Sequence, residues 1–162
     1  MNPDLADRFG LSPVSEIIPG RLWQGMRPTS YIGYDLVVSC EWFLAKKPML
    51  DYEGVTIHCP LRDEDDFDLR KAASLIWIAA SGVAFALNDD SRASKTLIHC
   101  SGGLNRSSLV TIRALEIAHD WTPKEALTVL RAKHDPYVLC NRQFERWVLR
   151  EQLPTAETTT LR

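Results

Sequence analysis

Residues 99–107 read His99-Cys100-Ser101-Gly102-Gly103-Leu104-Asn105-Arg106-Ser107, directly after the apolar, β-prone run Thr96-Leu97-Ile98. An arginine follows a cysteine by six positions, with two glycines between them and a hydroxyl residue just after. The pattern describes a strand that delivers a thiol to the floor of a tight loop. Backbone N–H groups of such a loop can turn inward as an anion-binding nest. A helix opening near Arg106 would aim its positive end at the same point. A strand, a loop and a helix in that order form half of an α/β unit, so this stretch sets the fold class as well as the chemistry.

The chemistry follows from residue type. The thiolate, not the thiol, is the nucleophile. Inward N–H groups, a helix N-terminus and Arg106 would all favour the anion, and the same donors match the oxygens of a phosphate. Arg106 supplies a planar fork for two oxygens at once, which a lysine cannot copy. Gly102 and Gly103 permit positive φ and close backbone approach. Ser107 can donate a hydrogen bond to the sulfur and help it leave later. His99 is expected to support the loop's shape and not to act as a base. The chain carries its own control: His58-Cys59 also follows a strand-like run, Val55-Thr56-Ile57, but six places on stands Asp65 instead of arginine. Neighbouring Asp63, Glu64 and Asp66 disfavour a thiolate there, so Cys59 reads as a structural thiol.

This run resembles the active-site signature of the cysteine-based protein tyrosine phosphatase superfamily, and Gly103 resembles its dual-specificity branch. The resemblance implies phosphate binding by Ser101, Gly102, Gly103, Leu104, Asn105 and Arg106, with His99 as loop support. It implies catalysis by Cys100, Arg106 and Ser107. Asn105 and Gly102 depart from the usual pattern. The resemblance extends to Pro19-Gly20-Arg21-Leu22-Trp23-Gln24-Gly25 as first strand and turn, to 122–133 as the helix after the signature helix, and to Asn141-Arg142-Gln143-Phe144 at the start of the last helix.

Phosphoryl transfer to a thiolate needs a proton for the departing oxygen. The segment 60–69 offers Asp63, Glu64, Asp65, Asp66 and Asp68 between a strand and a long helix. Asp68 reads as that helix's N-cap. In the resembling family the general acid is followed at four, five and six places by an aromatic, a small polar and an aliphatic residue. Phe67, Asp68 and Leu69 stand at those distances from Asp63, which selects Asp63, with Asp65 and Asp66 as alternatives. The implied reaction is a two-step transfer through a cysteinyl-phosphate, with no cofactor and no metal.

The 162 residues are 45% hydrophobic and 25% charged, as in a soluble globular domain, and the net charge of −2 gives no general pull toward nucleic acid. No apolar leader is visible near the start, and the near-apolar run over 75–87 is too short for a bilayer. Cys40, Cys59, Cys100 and Cys140 form no Cys-x-x-Cys pair, so neither a zinc site nor a disulfide framework is suggested. A working thiolate fits a reducing compartment, and the cytoplasm is expected. Cys40 reads as an inert core thiol. In the resembling family a cysteine near that place sometimes forms a reversible disulfide with the nucleophile.

Short strands are expected at Leu22-Trp23-Gln24, 36–39, 56–59 and 96–99, after a turn at Pro19-Gly20. Helices are expected from Leu69 to near Asn88, over 107–118, from a capping box at Thr122-Pro123-Lys124-Glu125, and over 141–152 with Phe144, Trp147 and Val148 on one face. The expected architecture is a single α/β domain with a mainly parallel central sheet of four to five strands flanked by helices, like a dual-specificity phosphatase. An N-terminal extension (1–17), a phosphatase domain (18–153) and a flexible tail (154–162) complete the organisation. The leading reading is a phosphatase for protein phosphotyrosine, extending to phosphoserine and phosphothreonine, with a phosphorylated protein as partner and no nucleic acid or membrane. Competing readings keep the chemistry on RNA 5′-phosphates or phosphoinositides. A catalytically silent phosphate-binding module is the alternative from another class, and a rhodanese-type sulfur transferase would not require Arg106, Ser107 and an acid loop.

Overall fold

The structure, a computed structural model, describes residues 14–42, 52–64, 66–91 and 93–150. Five strands, β1 (Val14–Ile18), β2 (Leu22–Met26), β3 (Leu36–Ser39), β4 (Val55–His58) and β5 (Thr96–Cys100), form one sheet in the order β1-β2-β5-β3-β4. The last four are mutually parallel, and β1 pairs antiparallel with β2 at the edge. Parallel strands need long crossovers, which helices supply. The helices are α1 (Leu69–Asn88), α2 (Arg106–His119), α3 (Pro123–Lys133) and α4 (Arg142–Arg150). Strand β5 is buried at all five residues and β3 at all four, which marks them as the sheet's centre. Parallel alignment brings the carboxyl ends of β2, β5, β3 and β4 to one side, with Met26 opposite Cys100 and Ser39 opposite both His99 and His58. Ligand sites of open α/β sheets lie beyond such ends.

Local chemistry sets the helix starts. The Asp68 carboxylate accepts from the Arg70 N–H at 3.1 Å and caps α1. Thr122 and Glu125 form the reciprocal capping box of α3, with Pro123 at the first helical position. Helix α1 runs from Leu69 to Asn88, as its apolar period predicts. Its 20 residues are long and apolar enough to cross a membrane by length and composition. Here Leu69, Ala72, Ile76, Ala79, Ala80 and Val83 are instead buried in the main core, with the helix against α2.

Strand β1 was not expected. Residues 14–17 of the expected extension are part of the sheet. Ser15 and Glu16 interrupt the apolar alternation that betrays a strand, and tertiary contacts order them: pairing with β2, and His134 on the Ser15 hydroxyl. The turn between these strands uses Gly20 at φ 70°, and the Gly20 N–H donates to Glu16 Oε1 at 2.7 Å.

A buried ion pair fixes α4 to α2, the helix that follows the 100–106 loop. Arg113 of α2 is fully buried between the rings of Trp77 and Trp147, 4.9 Å from each. It donates to Glu116 Oε2 at 2.7 Å and to the Val148 carbonyl at 3.1 Å. Burial pushes the Glu116 carboxyl up, and the opposing pull of Arg113 is smaller. Glu116→Ala leaves the guanidinium without its counter-charge and is expected to destabilise by about 3 kcal/mol. Arg113→Met with Glu116→Leu is expected to cost less than that single change. Urea unfolding of both variants checks the order, and an equal or reversed order contradicts it.

Candidate active site

Strand β5 ends at Cys100, and α2 begins six residues later at Arg106. The loop between them folds back over the cysteine. Gly103 donates its N–H to Cys100 Sγ at 3.2 Å, and Ser107 Oγ lies 3.4 Å from the same sulfur. Gly103 has φ 72°, and a Cβ there would sit 2.7 Å from Gly25 C and Met26 N of β2. Only glycine fits this conformation and this approach. Gly102 has neither constraint: its φ is not positive, and a Cβ would meet nothing within 4 Å. The structure therefore gives no packing reason for its glycine.

The Gly103 carbonyl is pinned from the opposite side. Gln24 Nε2 donates to it at 3.1 Å, and to Ser108 Oγ at 2.9 Å. His134 Nε2 donates to it at 3.1 Å, while His134 Nδ1 meets Ser15 Oγ at 2.9 Å. Burial pushes the His134 imidazole down, so it works as a neutral donor–acceptor bridge from β1 to the loop. The next carbonyl, of Leu104, accepts from the Leu139 N–H at 3.0 Å, and Leu139 holds φ 56°, a conformation rare for leucine.

Asp63 reaches the loop from a different part of the chain. Its Oδ2 lies 4.0 Å from Arg106 Nε, and that Nε is buried without a hydrogen-bond partner. Asn105 Nδ2 donates to Asp63 Oδ1 at 3.3 Å and Oδ2 at 3.1 Å, and Asn141 Nδ2 donates to Oδ1 at 3.3 Å. Asp66 lines a separate shallow groove with Trp42, Arg62, Glu64, Phe67, Asp68 and Lys71. Asp65 lies outside the described residues. The structure thus brings Cys100, Gly103, Asn105, Arg106, Ser107 and Asp63 together.

His99 stands behind the loop. Its Nε2 is 2.5 Å from the Tyr31 hydroxyl, and burial, then Arg27 and His58, push the imidazole down to about 4. It is neutral at physiological pH, which suits loop support. Cys40, whose N–H donates to the His99 carbonyl at 2.8 Å, is fully buried. Burial, then its contact with Cys59, pushes the Cys40 thiol well up, so it is uncharged at neutral pH.

No family profile and no curated protein matches the sequence. Solved structures do. Tk-PTP in its active form superposes with a TM-score of 0.65 at 20% identity, covering 86% of this chain and 98% of that one. Human DUSP28 gives 0.55 at 17%, covering 83% and 94%. OH1 from the Orf virus, described as a tyrosine phosphatase, gives 0.56 at 16%, covering 87% and 89%. The fold is that of the dual-specificity phosphatases.

Within this phosphatase fold several contributors had no motif to announce them. Gln24, Tyr31, His134 and Asn141 reach the loop from four separate segments. Gln24 alone left a trace, as a polar residue inside an apolar strand. The segment Met26-Arg27-Pro28 reads from sequence as a plain surface turn, with lining of the site's mouth as the alternative, and Arg27 donates its N–H to the Cys100 carbonyl at 3.0 Å. The Arg27 guanidinium pairs with Glu41 at 3.3 Å, and Glu41 also accepts from Ser101 Oγ at 3.3 Å.

Two outcomes test this geometry. Gly103→Ala forces the left-handed backbone, at about 1–2 kcal/mol, and adds the clash with β2. It should lower the melting temperature and weaken oxyanion binding, and an unchanged vanadate affinity contradicts the role given to Gly103. Burial holds the His99 imidazole at about 4 in the folded protein, against about 6.5 for an ordinary histidine. The unfolded chain binds the extra proton between those limits, so stability falls as pH drops from 6.5 toward 4, by about 3 kcal/mol in all. Urea midpoints across that window should flatten in His99→Gln, and an unchanged slope contradicts a buried neutral His99.

Proposed function

We propose that the protein hydrolyses phosphomonoesters through a cysteinyl-phosphate, acting on phosphotyrosine in proteins and extending to phosphoserine and phosphothreonine. One observation carries the reading. A buried thiol at the floor of a loop is held by the Gly103 N–H and Ser107, the loop runs into Arg106 at the start of α2, and a carboxylate from a separate segment closes on that arginine.

In the first step Cys100 Sγ attacks phosphorus in line, so the S–P bond forms as the P–O bond to the leaving group breaks. The equatorial oxygens are held by Arg106 and by N–H groups at the start of α2, which have no partners within the helix. The Asp63 carboxyl gives its proton to the departing oxygen. In the second step water attacks phosphorus, Asp63 takes the water proton, and the S–P bond breaks to release inorganic phosphate. Ser107 donates to the leaving thiolate.

The surroundings favour a singly phosphorylated protein over a polyanion. Glu41 stands against Ser101 of the loop and neutralises Arg27, and in the groove that Asp66 lines Arg62 pairs with Glu64 and Lys71 with Asp68. Cations already paired in this way offer little to an RNA end or a phosphoinositide. Trp42, stacked on Arg62 at 4.1 Å, gives the same side an aromatic surface. A nucleophilic thiol that must stay reduced to work supports a reducing compartment such as the cytoplasm as the proposed location.

Reduced protein is expected to turn over p-nitrophenyl phosphate in the presence of EDTA, with vanadate as inhibitor. Cys100→Ser should abolish turnover while keeping phosphate binding, and Asp63→Ala should lower kcat by about 10²-fold. Phosphotyrosine peptides should outrank phosphoinositides and 5′-triphosphate RNA in kcat/KM. Phosphate binding without turnover by the unmodified chain would replace this reading with a silent binding module, and damage from Asp66→Ala instead of Asp63→Ala would move the acid.

A further inference from the structure

Asn105 occupies the N-cap of α2, where an asparagine ordinarily accepts a hydrogen bond from the first turn of its helix. Here it makes no such bond. Its side chain turns to the acid loop instead, which leaves the N–H groups of the first turn free of a side-chain cap.

We propose that Asn105 is a positioning residue for Asp63, coupling the proton-transfer group to the phosphate loop. The proposal rests on the reading of Asp63 as the acid and base. Three features of the geometry support it. Asn105 Oδ1 accepts the backbone N–H of Asn141 at 3.1 Å, which fixes the amide's orientation and directs Nδ2 at Asp63. Nδ2 then meets both carboxylate oxygens, at 3.3 and 3.1 Å. A second amide works the same way: Asn141 Oδ1 accepts the Gln143 and Phe144 N–H groups at 3.0 and 3.4 Å, directing its own Nδ2 at Asp63 Oδ1. Asn105 also immediately precedes Arg106. Any shift of the loop that carries the phosphate-binding arginine therefore moves the clamp on the carboxylate with it. Leu139 supports this junction through its bond to the Leu104 carbonyl and its left-handed backbone two residues before Asn141.

A residue that acts through an acid has a signature that a loop-shaping residue lacks. Proton donation matters most when the leaving group is a poor one. The test uses aryl phosphates of graded leaving-group pKa and an alkyl phosphate, with wild type, Asn105→Ala, Asp63→Ala and the double variant. Asn105→Ala should lower kcat/KM by about tenfold on the poorest leaving groups and by under about twofold on the best. In the Asp63→Ala background it should change kcat/KM by under about twofold, because coupled residues are not additive. Asn105→Asp, equal in size but lacking the N–H donors, should be worse than alanine on poor leaving groups. Vanadate inhibition should stay within about threefold of wild type in Asn105→Ala, because the cradle itself is kept. A uniform loss across leaving groups, additivity with Asp63→Ala, or weakened vanadate inhibition overturns the proposal. If Asp63→Ala itself shows no dependence on leaving group, the acid assignment fails and the proposal with it. If Asp63→Ala shows that dependence and Asn105→Ala does not, the proposal alone fails.

Discussion

Gly103 is the constraint on which the site depends. Its N–H faces Cys100 Sγ, its carbonyl is held by Gln24 and His134, and its Cα lies too close to β2 for any side chain. The Gly103–Leu104 peptide is held at its carbonyl and the Gly103 Cα is packed against β2, which restrains the adjoining Gly102–Gly103 peptide and keeps its N–H directed at the sulfur before any substrate arrives. Preorganised donors of this kind lower a barrier because they need no rearrangement during reaction. The grip draws on β1 through Ser15 and His134, and on β2 through Gln24. The edge strand that looked like an extension thus takes part in shaping the loop.

A second organising element is the meeting of three loops at Asp63. The carboxylate comes from the segment after β4, the arginine from the start of α2, and a second amide from the segment before α4. Each is rigid for its own reason. Asp68 caps α1 just downstream of Asp63, while the Arg113–Glu116 pair and its two tryptophans tie α4 to α2. An ion pair with no role in chemistry therefore bears on where Asn141 stands.

Residues 99–107 made the cradle legible because its requirements are local: a thiol, a positive-φ glycine, an arginine fork and a hydroxyl must fall at set places along one stretch. The capping signals at Asp68 and Thr122 were legible for the same reason. Strand β1 was not, since its order comes from pairing and not from pattern. Gln24, His134 and Asn141 were illegible as site residues because their partners lie 79, 31 and 78 positions away. Asn105 and Gly102 looked like two equal departures from the expected loop. The structure separates them, giving Asn105 a carboxylate to hold and Gly102 no steric demand.

The central claim is covalent catalysis at Cys100, and trapping the intermediate tests it most directly. Asp63→Ala protein mixed with p-nitrophenyl phosphate, whose leaving group needs little protonation, should accumulate phosphate on the enzyme because water attack lacks its base. Acid quenching, proteolysis and mass spectrometry should place that phosphate on the peptide containing Cys100, with none in a Cys100→Ser background. Turnover by the Asp63→Ala enzyme with no adduct on Cys100, or an adduct on another residue, would contradict the account.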